Sequence, residues 1–544
     1  MLRPRSIPPV PEETARIAQA AFPKGNRYLT LRDELGTIFN DEMFAHLFPK
    51  VGQPGEAPWR LALVTIVQHA EGLSDREAAD AVRARIDLKY LLGLELDDPG
   101  FHYSILSRFR DRLIEGKAEH LLLDALVETS RKAGLIRERG KARTDSTHVL
   151  TNVRALSRVE LVGETMRAAL NAVAEAEPEW LKAFAPDDWY KRYANRFSDG
   201  PKPRKRRQKG RIEQIGKDGL VLLETVYKND SPPQLCNLNA VEFLRRCWIE
   251  QFYVQEGEVQ VRESGNLPPS PNSLQTPHDA DARYGTKGGP AWVGYKTHFT
   301  ETCDEDSPSL ITVVTTTAPA TSDVSQTPGV HAALASKGIL PIEHFVDNGF
   351  TSADLVVESR KTYGLKLIGP MKPNNHWQQE EGHFDVSSFA IDWNDEVATC
   401  PQDKKSVGWK PTFWEGYDTI RITFSQRDCG SCEMRAKCVR SSGKRPRRLI
   451  VRPKEQYEVL QEIRSQQKTP EWRAYYARRA GIEGTFSQGV RAMSLRQSRY
   501  RGAKKGQLQN VAIASGINIQ RLTDWFHELP RAKTRISRFA AIRA

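Results

Sequence analysis

Tyr475-Tyr-Ala-Arg-Arg-Ala-Gly-Ile-Glu-Gly-Thr-Phe-Ser-Gln-Gly-Val-Arg-Ala-Met493 is the segment on which the reading of this chain turns. It reads as a helix. Ile482, Phe486 and Met493 recur at helical spacing, which predicts one buried side. Tyr476, Arg479 and Glu483 fall on the adjoining face, because residues three, four and seven apart align on a helix. Glu483 therefore stands at the edge of a buried face, with Arg479 one turn before it and Arg491 two turns after. Taken alone, such a carboxylate is either an ion-paired structural group or a metal ligand, and most helical glutamates are solvated or paired.

The rest of the chain is long, with 544 residues, and several domains are expected. Its net charge of +12 and pI near 9.2 suit an anionic partner, nucleic acid first. No apolar run approaches the ~18 residues needed to span a bilayer, and the N-terminus has no signal-peptide core. The expected location is the cytoplasm. Seven cysteines, an odd number in a reducing compartment, argue against a disulfide framework.

Upstream, residues 1–25 read as a flexible arm and 26–135 as a helical N-terminal domain for DNA binding or dimerisation. Within it Ser74-Asp-Arg-Glu77 is a capping box that opens a helix. Arg143-Thr-Asp-Ser-Thr-His-Val-Leu150 reads as a strand carrying Asp145, inside a first core segment at 136–151. A helical insertion follows at 152–275, with a basic loop at 201–211 that is either a solvated loop or a phosphate-contacting arm. Over 276–371 come a hairpin of β-branched strands (291–302 and 310–317), a helix through 323–337 and a strand ending in Asp347. A helix at 352–363 and a strand at 365–369 complete an α/β unit. Residues 372–455 read as an irregular insertion rich in Cys and Trp. Residues 456–544 hold the Glu483 helix and the C-terminal helices.

Three acids thus occupy distinctive places: Asp145 on a strand, Asp347 at a strand end, Glu483 on a helix beyond the last strand. One Asp at a strand end is weak, since turns attract Asp. The order strand-Asp, hairpin, strand-Asp, helix-Glu is more specific. It suits two Mg²⁺ or Mn²⁺ ions ~3.5–4 Å apart, which activate water and stabilise a leaving 3′ oxygen. Of the neighbours, His148 reads first as a hydrogen-bonded strand histidine and otherwise as a contact to substrate or to the acids, and Asp323 as an N-cap or first-turn acid. Lys287 and Lys296 read equally as phosphate contacts or ordinary surface.

On these residues the chain resembles bacterial insertion-sequence transposases of the DDE class, most closely the IS1182-type group. The resemblance rests on Gly72-Leu-Ser-Asp-Arg-Glu-Ala-Ala79, Ser104-Ile-Leu-Ser-Arg-Phe-Arg110, Thr144-Asp-Ser-Thr-His148, Gly294-Tyr-Lys296, Val346-Asp-Asn-Gly-Phe350, Cys400-Pro401 and Arg479-Ala-Gly-Ile-Glu-Gly484. It implies an α/β RNase H-like catalytic core with helical and cysteine-rich insertions behind an all-helical N-terminal domain. Asp145, Asp347 and Glu483 would be the catalytic, metal-binding triad, with Tyr476 and Arg479 matching the family's helix signature. The signature's next basic position falls on Val490, and Arg491 is its neighbour. The implied activity is binding of terminal inverted repeats in double-stranded DNA, metal-dependent cleavage at the element ends and joining of the 3′-OH ends to target DNA. A homodimer on paired ends is implied, with no membrane partner and a nucleoid-associated location. A domesticated or defective nuclease, or a DNA-binding protein without turnover, is the alternative.

Cys429-Gly-Ser-Cys432-Glu-Met-Arg-Ala-Lys-Cys438, with Cys400 upstream, has the spacing of a knuckle that holds one tetrahedral ion. A structural Zn²⁺ is one reading; four reduced cysteines or an iron–sulfur cluster are the others. Trp377, Trp409 and Trp414 lie in the same segment, as core filling or, for one of them, a base-stacking surface. Leu495-Arg-Gln-Ser-Arg-Tyr-Arg-Gly-Ala-Lys-Lys505 offers Arg499, Arg501 and Lys504 to DNA phosphates, or is a solvated basic turn.

Overall fold

The computed structural model describes residues 1–197, 205–270, 272–286, 289–372, 377–380, 382–440, 445–530 and 538–542. It is a mixed α/β structure with a helical N-terminal region and a mixed central sheet. The sheet strands are β1 (Lys141–Leu150), β2 (Arg283–Thr286), β3 (Ala291–Thr302), β4 (Ile311–Thr317), β5 (Glu343–Val346) and β6 (Lys366–Ile368). Their order is β2-β3-β1-β5-β6, with β4 also on β3. β1 runs antiparallel to β3 along its whole length and parallel to β5 from Lys141↔Glu343 to Thr144↔Val346. Beyond Thr144 it outruns β5, and its far end meets the C-terminal segment through a bridge from Leu150 to Gln497. Where β1 and β3 part, Gly294 has φ +152° and a Cβ there would lie 2.1 Å from the Val149 carbonyl oxygen. Only glycine lets the backbones approach that closely.

The helices before β1 do not enclose a core of their own. Trp59, Leu63 and Ile66 share one apolar cluster with Phe299 and Val313 of the sheet and with Ile513 and Ile517 of the C-terminal helix Ala503–Phe526. That helix is buried on nearly every side because it lies between the N-terminal helices and β4. Asn518 fastens it to the sheet: its side chain accepts from the Ile311 N–H at 2.8 Å and donates to the Ile311 carbonyl at 2.7 Å. The predicted capping box at Ser74 and Glu77 is present.

Four expectations are corrected. The arm at 1–25 contains a helix, Glu12–Ala21, because Ala18 is fully buried and Thr14 Oγ1 donates to the Leu94 carbonyl. The basic loop at 201–211 is in part the start of a helix, Lys205–Val226, while 198–204 lie outside the described residues. The insertion at 372–455 is not irregular. It holds an antiparallel sheet of β7 (Ser406–Trp414), β8 (Tyr417–Phe424) and β9 (Arg448–Val451) over a core of Phe389, Ile422, Phe424 and Leu449. Glu415 and Gly416, both at positive φ, make the two-residue turn whose twist matches a hairpin.

The fourth concerns the helix of Tyr475–Met493, which is three pieces: a helix Pro470–Tyr476, a 3₁₀ turn Ala477–Ala480 and a helix Gly481–Met493. Arg143 of β1 presses into the junction. It donates to the Arg478 carbonyl at 2.8 Å, and a Cβ on Gly481 would fall 1.9 Å from its guanidinium. The chain tightens there because the carbonyl is taken by a side chain and the glycine leaves room for it. Among the described residues no helix is long and apolar enough to cross a membrane.

Candidate active site

Thr144 pairs with Val346 in parallel register, so the next residues, Asp145 and Asp347, come side by side at the end of β5. Adjacent strands lie about 4.8 Å apart, and residues in matching register share a face. The Asp347 carboxylate is fixed by its own turn, accepting the Gly349 N–H at 2.7 Å. Glu483 stands in the first turn of Gly481–Met493. Arg479 links the two elements: it donates to Asp145 Oδ2 at 3.1 Å and to Glu483 Oε1 at 2.8 Å. Tyr476 ties the preceding turn to β5 by donating to the Val346 carbonyl at 2.9 Å. Phe486 stacks on Phe299 of β3, seating the helix on the sheet.

Burial raises the Asp347 carboxyl above its ordinary range, and the neighbouring Asp145 and Asp323 charges add to the rise against the Gly349 N–H and Arg479. Burial likewise pushes the Tyr476 phenol up to about 12; Arg479 opposes, while Asp347, Asp145 and Glu483 all reinforce it. Burial lowers the Arg479 guanidinium, but Asp145, Tyr476 and Asp347 together outweigh it and hold the group above its usual value. The Glu483 side chain is 63% exposed against 13% for Asp145, so Glu483 is the member with room to turn.

Asp323 was missed as part of this group. It is the first-turn acid of a 3₁₀ turn, as the sequence suggests, but its side chain also reaches the acidic group. It accepts from Lys296 Nζ at 2.9 Å and from Ser146 Oγ at 3.5 Å. A Cβ on Gly349 would lie 3.0 Å from Asp347 Oδ1 and 3.3 Å from Asp323 Oδ2, so both carboxylates flank that glycine. Lys296 is thereby a partner of the acids; Lys287 lies outside the described residues. His148 packs at 5.4 Å from the Trp292 ring.

The expected phosphate contacts divide. Arg491 is exposed in the last turn of the Glu483 helix, while Val490 packs on the core. Arg499 donates to the Leu73 carbonyl at 2.7 Å, tying the C-terminal segment to the N-terminal helices. Arg501 and Lys504 are exposed. Arg496 was overlooked: its Nε donates to Thr147, two residues along β1 from Asp145 and on the same face.

Cys400, Cys429, Cys432 and Cys438 line one small cavity with Phe384, Phe389 and Phe424. Burial raises the Cys438 thiol to about 11; Arg447 opposes, and the other three thiols add to it. Among the described residues, however, no three His, Cys, Asp or Glu groups meet at ligating spacing, either here or at the acidic site. Trp409 packs edge-on against Trp393 in that core, whereas Trp414 is exposed at the β7–β8 turn.

Two family models match the chain. A Transposase domain (DUF772) covers residues 16–112, and a Transposase DDE domain covers 399–523. The chain therefore carries a transposase DDE domain behind a transposase N-terminal domain. A DDE domain indicates an enzyme of the nuclease and transposase type, acting in DNA transposition with divalent metal ions. The match takes in Glu483 and the cysteine segment and stops short of Asp145 and Asp347. No curated protein and no solved structure matches.

Proposed function

We propose that this chain is the transposase of an insertion sequence, with an RNase H-like core whose catalytic carboxylates are Asp145, Asp347 and Glu483. The strand order supports that core: three antiparallel strands, β4-β3-β1, continue into two parallel ones, β5 and β6, with the acids at one end. The observation that carries the reading is the register of β1 on β5, which sets Asp145 beside Asp347, with Arg479 joining Asp145 to Glu483.

The donor set fits Mg²⁺ or Mn²⁺: hard carboxylate oxygens, few in number, with like charge crowded on a partly buried Asp347 that a cation would relieve. Bound there, two such ions supply the Lewis acidity that activates a water or a 3′-OH and stabilises the leaving oxygen. Asp145 and Asp347 would hold the ions, and Glu483, the most exposed of the three, would complete the donor set. Arg479, which bonds Asp145 and Glu483 here, would be the residue to hold the scissile phosphate, which its planar fork suits. Tyr476 keeps its proton and continues to fasten the turn to β5. Cleavage at the inverted repeats, joining to target DNA and a dimer on paired ends follow from the same reading. The four cysteines around one cavity support a structural Zn²⁺, which Cys400, Cys429, Cys432 and Cys438 would hold.

The test is cleavage of a supercoiled plasmid carrying the DNA ends that flank the coding sequence, with Mg²⁺ or Mn²⁺. The unmodified protein is expected to cut at those ends and Asp347→Asn to be inactive. Cutting that survives the substitution would refute the assignment. Sound DNA binding with no cutting by either protein would favour the defective relative.

A further inference from the structure

A second site lies where β1 hands the chain to the helical insertion. A cavity of about 290 Å³ is walled by Asn152, Arg154, Arg167, Arg196, His278 and Arg501. They come from distant parts of the sequence: the end of β1, the insertion and the C-terminal basic segment. Asp279, itself buried, assembles the wall. It accepts from the Thr151 hydroxyl, from the Tyr295 hydroxyl and from the Gly502 N–H, which brings Asn152 and Arg501 to the same rim. The neighbouring Asp281 accepts the Ala503 N–H at 2.9 Å.

The charges are unevenly matched. Arg154 pairs with Glu160 at 2.7 Å, and Arg167 with Glu164 at 2.8 Å. Glu164 also faces His278 Nε2 at 3.0 Å. Among the described residues Arg196 and Arg501 have no carboxylate partner, and both are exposed into solvent at the cavity. A concave surface with surplus guanidinium forks and an amide donor is built for a phosphate oxygen cluster. Among the described residues no Phe, Tyr or Trp lines it, so they offer no surface on which a base would stack.

We propose that this cavity holds a backbone phosphate of the DNA that leads away from the catalytic carboxylates, an inference that rests on the function proposed above. The surplus of positive charge on the whole chain, +12, favours DNA as the source of that phosphate. Asp145 and Leu150 are five residues apart on one strand, about 17 Å at 3.3–3.4 Å per residue. That is about five base-pair steps of duplex at 3.4 Å each. The contact reads no sequence; it sets how far the helical insertion grips the DNA from the cut.

The experiment measures binding of a labelled duplex carrying a flanking end by fluorescence anisotropy, in EDTA, over a series of KCl concentrations. The double variant Arg196→Gln/Arg501→Gln is compared with Arg16→Gln/Arg245→Gln, which changes charge equally elsewhere. Circular dichroism checks folding, which exposed side chains should not disturb. The slope of log K against log salt should fall in magnitude by about 0.9–1.8 in the first variant, alike for specific and scrambled duplexes, and stay put in the second. An unchanged slope, or an equal fall in both variants, overturns the proposal. Titration calorimetry with sodium pyrophosphate separates the other source. Binding lost in the first variant while the DNA slope holds would assign the cavity to a free anion. Because no metal is present, a slope change without plasmid cleavage would refute the catalytic reading and leave this one standing.

Discussion

Replacing Glu301 by Ala should unseat the Glu483 helix and cost more stability than any exposed ion pair. Glu301 lies on β3 with no solvent exposure of its side chain. Arg143 of β1 approaches it at 2.6 Å and Arg521 of the C-terminal helix at 2.8 Å, and the Thr485 hydroxyl donates at 2.6 Å. Thr485 is two residues beyond Glu483. Burial pushes the Glu301 carboxyl up, but Arg521, Arg143 and Thr485 outweigh it and hold the group below the usual glutamate range. Removing one member of such a buried network leaves the others charged and unpaired, a loss of about 3–5 kcal/mol. Glu13→Ala, at a pair whose side chains are 57% and 69% exposed, should cost at most about 1 kcal/mol. With a urea slope of about 2–3 kcal/mol/M, the Glu301→Ala midpoint should fall by roughly 1–2 M. The stabilisation is present above the ordinary glutamate pKa and is lost as pH falls through the lower folded value, so variant and parent should converge in strong acid. Equal midpoints for Glu301→Ala and Glu13→Ala would refute the reasoning.

Two further outcomes follow from buried groups. His69 and His331 are pushed by burial to about 4, and His344, which meets His331 at 2.9 Å, well below the ordinary value. An unfolded histidine binds its proton near 6.5, so stability is full above that pH and falls as pH drops toward 4, by roughly 3 kcal/mol for each of the first two; urea midpoints that rise between pH 7 and 5 would contradict this. If the four cysteines hold Zn²⁺, elemental analysis should find one ion per chain, and Cys432→Ser should lose it and destabilise β7–β9; a metal-free protein with unchanged melting would sink that reading.

Much of the core was legible because its signals are local. The β-branched run Leu310–Thr317 and the acidic turn before it declare a hairpin, and they form β3 and β4. The three acids stand out because each belongs to a segment with a clear local signal: a strand, a strand end and an amphipathic helix. Asp323 did not, since its role is set by Lys296 and Gly349 arriving from other strands. The β7–β8 hairpin was legible and overlooked: Tyr417-Asp-Thr-Ile-Arg-Ile-Thr-Phe424 alternates after Glu-Gly, but the cysteines drew the reading toward an irregular knuckle. The break before Gly481 depends on Arg143, more than 300 residues earlier, and has no local sign.

The shared core of the N-terminal helices and Ala503–Phe526 has a consequence in time. The cluster that holds Trp59, Leu63 and Ile66 is complete only when Ile513 and Ile517 have been made. At about 5–20 residues per second, the roughly 430 residues between Glu71 and Ala503 take about 20–90 s to synthesise. For that interval the growing chain carries an uncovered apolar surface, and Arg143, Glu301 and Thr485 wait for Arg521. The Glu483 helix is thus anchored only once Ala503–Phe526 has been made, and a chain broken off before that helix leaves it unanchored.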